Sequence, residues 1–134
     1  MGFFSTLNIA ATGLSAQRIR INVISSNLAN ANTTKTESGE PYKRKDIIFK
    51  ELLEGEYRGG VRVEKVVEDK KPFILKYEPG HPDANEEGYV QYPNVNPIEE
   101  MVNMIEASRS YEANVTVLNT AKQLAMRALE IGRG

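Results

Sequence analysis

Cysteine and tryptophan are missing from this 134-residue chain, and histidine occurs once. Without cysteine there is no disulfide framework, no thiolate zinc site and no cysteine nucleophile. A single histidine rules out a His-rich metal site or a relay of several histidines. Glycine-rich phosphate loops, GxSxG and HExxH are equally absent, so no familiar arrangement for phosphate, acyl or zinc chemistry is available. No apolar run approaches the roughly 18 residues that direct membrane insertion requires. The opening MGFFSTLNIAATGLSAQ has no basic stretch ahead of its apolar residues and makes a poor secretory signal. A formal net charge of −1 leaves no basic footprint for nucleic acid. The length suits one domain at most.

What is present is unevenly spread. Residues 1–34 carry only two charged side chains, Arg18 and Arg20, whereas residues 35–97 hold 24 of the 35 charges and all six prolines. Residues 98–134 are again proline-free. The chain therefore divides into an N-terminal helical arm (1–34), a β-rich middle (35–97) and a C-terminal helical arm (98–134). The fold class is α+β, with the long terminal helices forming a coaxial helical hairpin or coiled-coil core and a small antiparallel β region between them.

In the first arm Leu7, Leu14, Ile21 and Leu28 recur every seven residues, with Ala10, Gln17, Ile24 and Ala31 between them. That period lets a helix over residues 4–30 lie along another helix. Off the stripe stand Ser, Asn, Thr, Ala and Gly rather than Lys and Glu, a surface suited to close packing on more than one side. The asparagine-rich run from Asn27 to Thr34 ends it. In the second arm Asn96-Pro97-Ile98-Glu99 reads as N-cap, first-turn proline and capping glutamate. Met101, Met104, Ile105, Ser108, Tyr111, Val115, Leu118, Ala125 and Leu129 follow, mostly at three- and four-residue spacing, and Gly132 and Gly134 supply a stop. Between the arms, residues 42–53, 60–67, 73–78 and 88–92 read as short strands, with turns at 54–60 and 78–83.

Candidate chemistry is sparse. His81, near Glu86 and Glu87, is a loop histidine flanked by prolines and reads as structural; no catalytic, cofactor or metal residue is assigned. Glu99 and Glu100 suit the positive end of a helix dipole. Lys43-Arg44-Lys45 offers either a phosphate contact or a charged edge strand that resists aggregation.

The stretches Leu14-Ser15-Ala16-Gln17 and Asn22 through Thr33, together with Glu99 through Asn114 and Leu118 to Ala121, resemble the terminal signatures of the bacterial flagellar axial family of rod and hook proteins. The short middle, with Tyr77-Glu78-Pro79-Gly80-His81-Pro82 and Gly88-Tyr89-Val90, is similar to that of the family's proximal-rod members. One departure is the insertion of Thr34 to Gly39 where many relatives place a Gly-Tyr pair.

The resemblance implies a non-enzymatic, cofactor-free subunit of the flagellar basal body, in the rod within the periplasm, exported without a cleaved signal peptide. Its implied partners are copies of itself, other rod proteins, a rod-to-membrane-ring adaptor and the flagellar type III export gate. Phe49 and Leu53 fit the gate-read pattern of a phenylalanine followed four residues later by an apolar residue; the same pair also reads as strand-end core. Leu7, Leu14, Ile21 and Leu28 are expected to bury against Ile105, Tyr111, Val115 and Leu118 in the hairpin, with Met101 a further packing residue. Asn22, Asn27, Asn30 and Asn114 are expected at seams between subunits. Isolated arms are expected to be poorly ordered and to fold on assembly. The alternative function is a peripheral membrane- or cell-wall-binding secreted module.

Overall fold

The computed structural model describes residues 2–55 and 57–133. Helix α1 (Phe3–Ala29) is followed by strands β1 (Lys45–Glu51), β2 (Val61–Glu68), β3 (Ile74–Tyr77) and β4 (Tyr89–Tyr92), then by helix α2 (Pro97–Arg133). The two helices pack together, as the α+β reading expects. The strands of the middle region form two separate antiparallel pairs, β1 with β2 and β3 with β4. The β1–β2 ribbon rests on α1 and is offset between Ile48 and Phe49.

Helix α2 begins as anticipated. The Asn96 Oδ1 accepts from the backbone N–H groups of Ile98 at 3.1 Å and Glu99 at 3.4 Å, satisfying donors that the first helical turn leaves free. Its end differs: the helix continues through Gly132 to Arg133. Gly134, and Glu56 in the expected 54–60 turn, lie outside the described residues.

The helices run antiparallel. Asn27 meets Glu100, Arg20 meets Glu106 and Gly13 lies against Asn114, so contacts that descend α1 climb α2. The seam on α1 is Ala10, Gly13, Gln17, Arg20, Ile24 and Asn27, alternating three- and four-residue steps, the spacing of a helix lying in a helix–helix seam. The facing row on α2 is Glu100, Ala107, Asn114 and Ala121, spaced by seven. This corrects the expected core. Leu7, Leu14, Ile21 and Leu28 are only half-buried and flank the seam, as do Tyr111, Val115 and Leu118. Ile105 is 54% exposed and cannot bury against α1, because a helical step of 100° per residue puts it on the face opposite Ala107.

Close approach explains the small residues. A Cβ built at Gly13 would lie 2.8 Å from the Nδ2 of Asn114, which donates to the Ser110 carbonyl. Gly13→Ala is therefore expected to be near neutral, its gain of about 1 kcal/mol in helix propensity offset by displacement of that amide. In an Asn114→Ala background the same change is expected to stabilise by about 1 kcal/mol. A double-mutant cycle by urea denaturation checks this; equal effects in both backgrounds would remove the steric coupling.

Candidate functional site: a polar junction and open apolar faces

One end of the hairpin is tied to the β region by buried polar groups. Asn27 is 0% exposed, and its side chain treats the Lys45 peptide as a neighbouring strand would. Its Nδ2 donates to the Lys45 carbonyl at 2.8 Å, while its Oδ1 accepts from the Lys45 N–H at 2.9 Å. The Tyr42 hydroxyl adds a 2.8 Å bond to the same Oδ1. The Asn27 Nδ2 also reaches Glu100 Oε2 at 3.4 Å.

Glu100 is 1% exposed, although it sits in the first turn of a surface helix. Its other oxygen accepts from the Nε of Arg44. Arg44 extends the cluster to Asp46 at 3.2 Å and Asp69 at 3.3 Å. Burial pulls the Arg44 guanidinium towards its neutral form, but the hydrogen bond and charge of Glu100, and then of Asp46, outweigh burial and raise its pKa above the ordinary arginine value. Asn94 completes the junction: its Oδ1 accepts from the Arg44 N–H at 2.7 Å and its Nδ2 donates to the carbonyls of Asp69 and Lys71. Both helices and the α1–β1, β2–β3 and β4–α2 links thus meet at one cluster, which includes the buried Tyr42.

Several expected roles change here. Asn27, expected at a seam between subunits, is enclosed by its own chain. Asn30 is also engaged locally, donating to the Ser26 carbonyl at 2.8 Å and accepting from Thr33. Asn114 bonds within α2, whereas Asn22 is exposed. Arg44 is the centre of an ion cluster rather than a phosphate contact or an edge-strand charge, and Glu100 stands in the first turn of α2 as expected while also being a buried partner of that cluster. His81 is structural in the manner expected: its Nδ1 accepts from the Asp83 N–H at 3.0 Å inside a turn. Among the described residues no three His, Asp or Glu side chains converge as metal ligands would.

Away from the junction the molecule is open. Ile98, Met101, Val102 and Ile105 fall on one stripe of α2, on the side facing away from α1, and all four are at least half exposed. At the opposite end α2 outruns α1, having 37 residues against 27, about 15 Å more helix at 1.5 Å per residue. Because Asn27 and Glu100 align the two helices at the junction, the whole excess projects past Phe3. Leu129 and Ile131 on this tip, and Phe4 beside it, are 70%, 81% and 76% exposed. Phe49 and Leu53 are 40% and 67% exposed, so the strand-end core reading of that pair fails.

These surfaces sit on segments with known relatives. Residues 7–35 match the family model described as "Flagella basal body rod protein", and residues 86–131 match "Flagellar basal body rod FlgEFG protein C-terminal". Over the full chain, the protein is 48% identical to the flagellar basal-body rod protein FlgC of Borreliella burgdorferi, each covered to 100%. The FlgC proteins of Bacillus subtilis and Salmonella typhimurium are 47% and 44% identical, with 99% of this chain and 100% of each relative covered. Such identity along the entire length, across both helices and the β region between them, means that the chain belongs to the FlgC family of flagellar basal-body rod proteins and is a non-enzymatic structural subunit of the basal body.

Proposed function

We propose that the chain is a proximal-rod subunit that stacks helically with copies of itself and other rod proteins into the drive shaft, inside the periplasm and next to the rod-to-membrane-ring adaptor. The observation that carries this reading is surface area. The chain exposes 9495 Å², against about 7,000 Å² for a compact protein of its mass. Much of the surplus is apolar side chain on α2 and around the tip. Contacts made head to tail through such faces need not close on themselves and so propagate as a helix. Membership of the rod family gives the alternative, a peripheral membrane- or cell-wall-binding module, no support.

The subunit reaches this place through the flagellar type III export gate without a cleaved signal peptide, in the same proposal. The exposure of Phe49 and Leu53 supports a role for them outside the folded core. The polar contacts of Asn27 and Glu100 support an ordered near end of the hairpin, and assembly-dependent ordering is proposed for the rest of the arms.

A strain lacking the chain is expected to show basal bodies with no rod beyond the export gate by electron cryo-tomography. An intact rod in that strain would refute the assignment. When the chain is restored as the Phe49→Ala, Leu53→Ala double variant, it is expected to accumulate inside the cell; export at the wild-type level would end the gate role while leaving the rod role standing.

A further inference from the structure

The helix–helix seam raises a problem of register. Its α2 row is Glu100, Ala107, Asn114 and Ala121, spaced by seven, and the α1 residues that flank it, Leu7, Leu14, Ile21 and Leu28, repeat with the same spacing. Sliding α2 along α1 by one heptad, about 10 Å at 1.5 Å per residue, sets Ala107 or Ala121 against Gly13 in place of Asn114 and keeps the evenly spaced flank of Leu7, Leu14, Ile21 and Leu28 in phase. Small and repetitive apolar contacts therefore discriminate weakly between the native pairing and a slipped one. The surface pair Arg20–Glu106, at 3.4 Å with the glutamate 62% exposed, adds little, because exposed ion pairs are weak.

The junction is different. In a slipped hairpin Glu100 leaves Arg44 and Asn27, and a charged group now 1% exposed loses its partners or is carried past the end of α1. Asn27 likewise stays tied to the Lys45 peptide but loses its bond across the seam. We infer that the buried Arg44–Glu100–Asn27 cluster is the register lock of the helix pair: it selects one alignment of two otherwise slidable helices. It thereby fixes how far the α2 tip projects beyond α1. Buried polar groups are best attested in this kind of role, setting alignment at some expense of stability.

The absence of cysteine makes the inference directly testable in the full-length purified chain. Gly13→Cys with Asn114→Cys reports the native alignment, since a Cβ at position 13 lies 3.1 Å from the Asn114 Cγ, the place that a cysteine Sγ at 114 would occupy. Gly13→Cys with Ala121→Cys, or with Ala107→Cys, reports a slip of one heptad in either direction. Under mild oxidation the parent chain is expected to close only the native pair.

Replacing the lock with apolar side chains of similar size, Arg44→Met and Glu100→Leu, is expected to raise the slipped disulfide at least about tenfold with helix content by circular dichroism unchanged. Removing the surface pair by Arg20→Ala and Glu106→Ala is expected to leave the native disulfide alone. The inference is overturned if the apolar variant still closes only the native pair, or if the surface variant slips as readily. Should the apolar variant lose its helix, the same reporters are read in Glu100→Gln: a tenfold rise in the slipped bond there supports the lock, and no rise overturns it.

Discussion

Arg44→Met is expected to destabilise the folded chain by about 3–5 kcal/mol, the usual consequence of removing one member of a buried ion pair and stranding the other. The residue stranded is Glu100, 1% exposed, left with only the 3.4 Å contact from Asn27. Glu100→Met should cost clearly less, because Arg44 retains Asp46 and Asp69 and a side chain 17% exposed to water. The double variant Arg44→Met, Glu100→Met should recover most of the loss, since the charges and their desolvation disappear together. Urea denaturation of the three variants checks the ordering. Equal costs for the two single changes would mean that the stranding of a buried Glu100 carboxylate is not what makes the loss of Arg44 so costly.

The same ion pair fixes the expected pH behaviour. Arg44 has its pKa raised in the folded state, so its contribution is complete below the ordinary arginine value and fades only as pH climbs through the folded one. The Arg44→Met penalty should therefore be the same at about pH 7 and about pH 9. A penalty that shrinks over that interval would place the pairing in some other group.

Much of this architecture is legible in the residues themselves. Asn96-Pro97 marks the start of α2 because capping and proline chemistry are local, and the four strands fall close to the segments that alternation and turn residues indicate. The seam is harder to read, because large apolar residues draw attention to Leu7, Leu14, Ile21 and Leu28, whereas the closest approach of two helices needs Ala, Gly and short polar groups. A clue is nonetheless present: Glu100 is in phase with Ala107, Asn114 and Ala121, and a glutamate in line with the smallest residues on a helix faces its neighbour. Its partner carries no such signal. Arg44 sits in a basic triplet whose local pattern says surface, and only the fold brings it to a helix that begins more than fifty positions later. Asn27 stands out in the sequence as consequential but suggests the wrong neighbour, because an asparagine that mimics a strand partner looks the same in sequence as one that bridges two molecules.

The second large effect concerns the faces that the single chain leaves uncovered. Ile98→Asp with Ile105→Asp is expected to abolish swimming while shifting the thermal midpoint of the purified protein by no more than about 2 °C, the scale of a surface substitution of about ±0.5 kcal/mol. Ile98 and Ile105 are 74% and 54% exposed, so the chain itself loses little when they become charged. A neighbouring subunit seated on that stripe would have to bury two carboxylates without partners, at several kcal/mol each. Ala107→Asp makes the contrasting control: position 107 is 0% exposed, so the same charge there should unfold the hairpin and remove motility by a different route. Ile21→Asp should fall between them, because Ile21 is half-buried on the flank of the seam. Soft-agar motility, read beside melting curves for each variant, separates the two causes. A motile Ile98→Asp, Ile105→Asp strain would show that the outer stripe of α2 faces solvent in the rod, and the packing surfaces would then have to be sought at the tip and along the flank formed by Leu7, Leu14, Ile21 and Leu28.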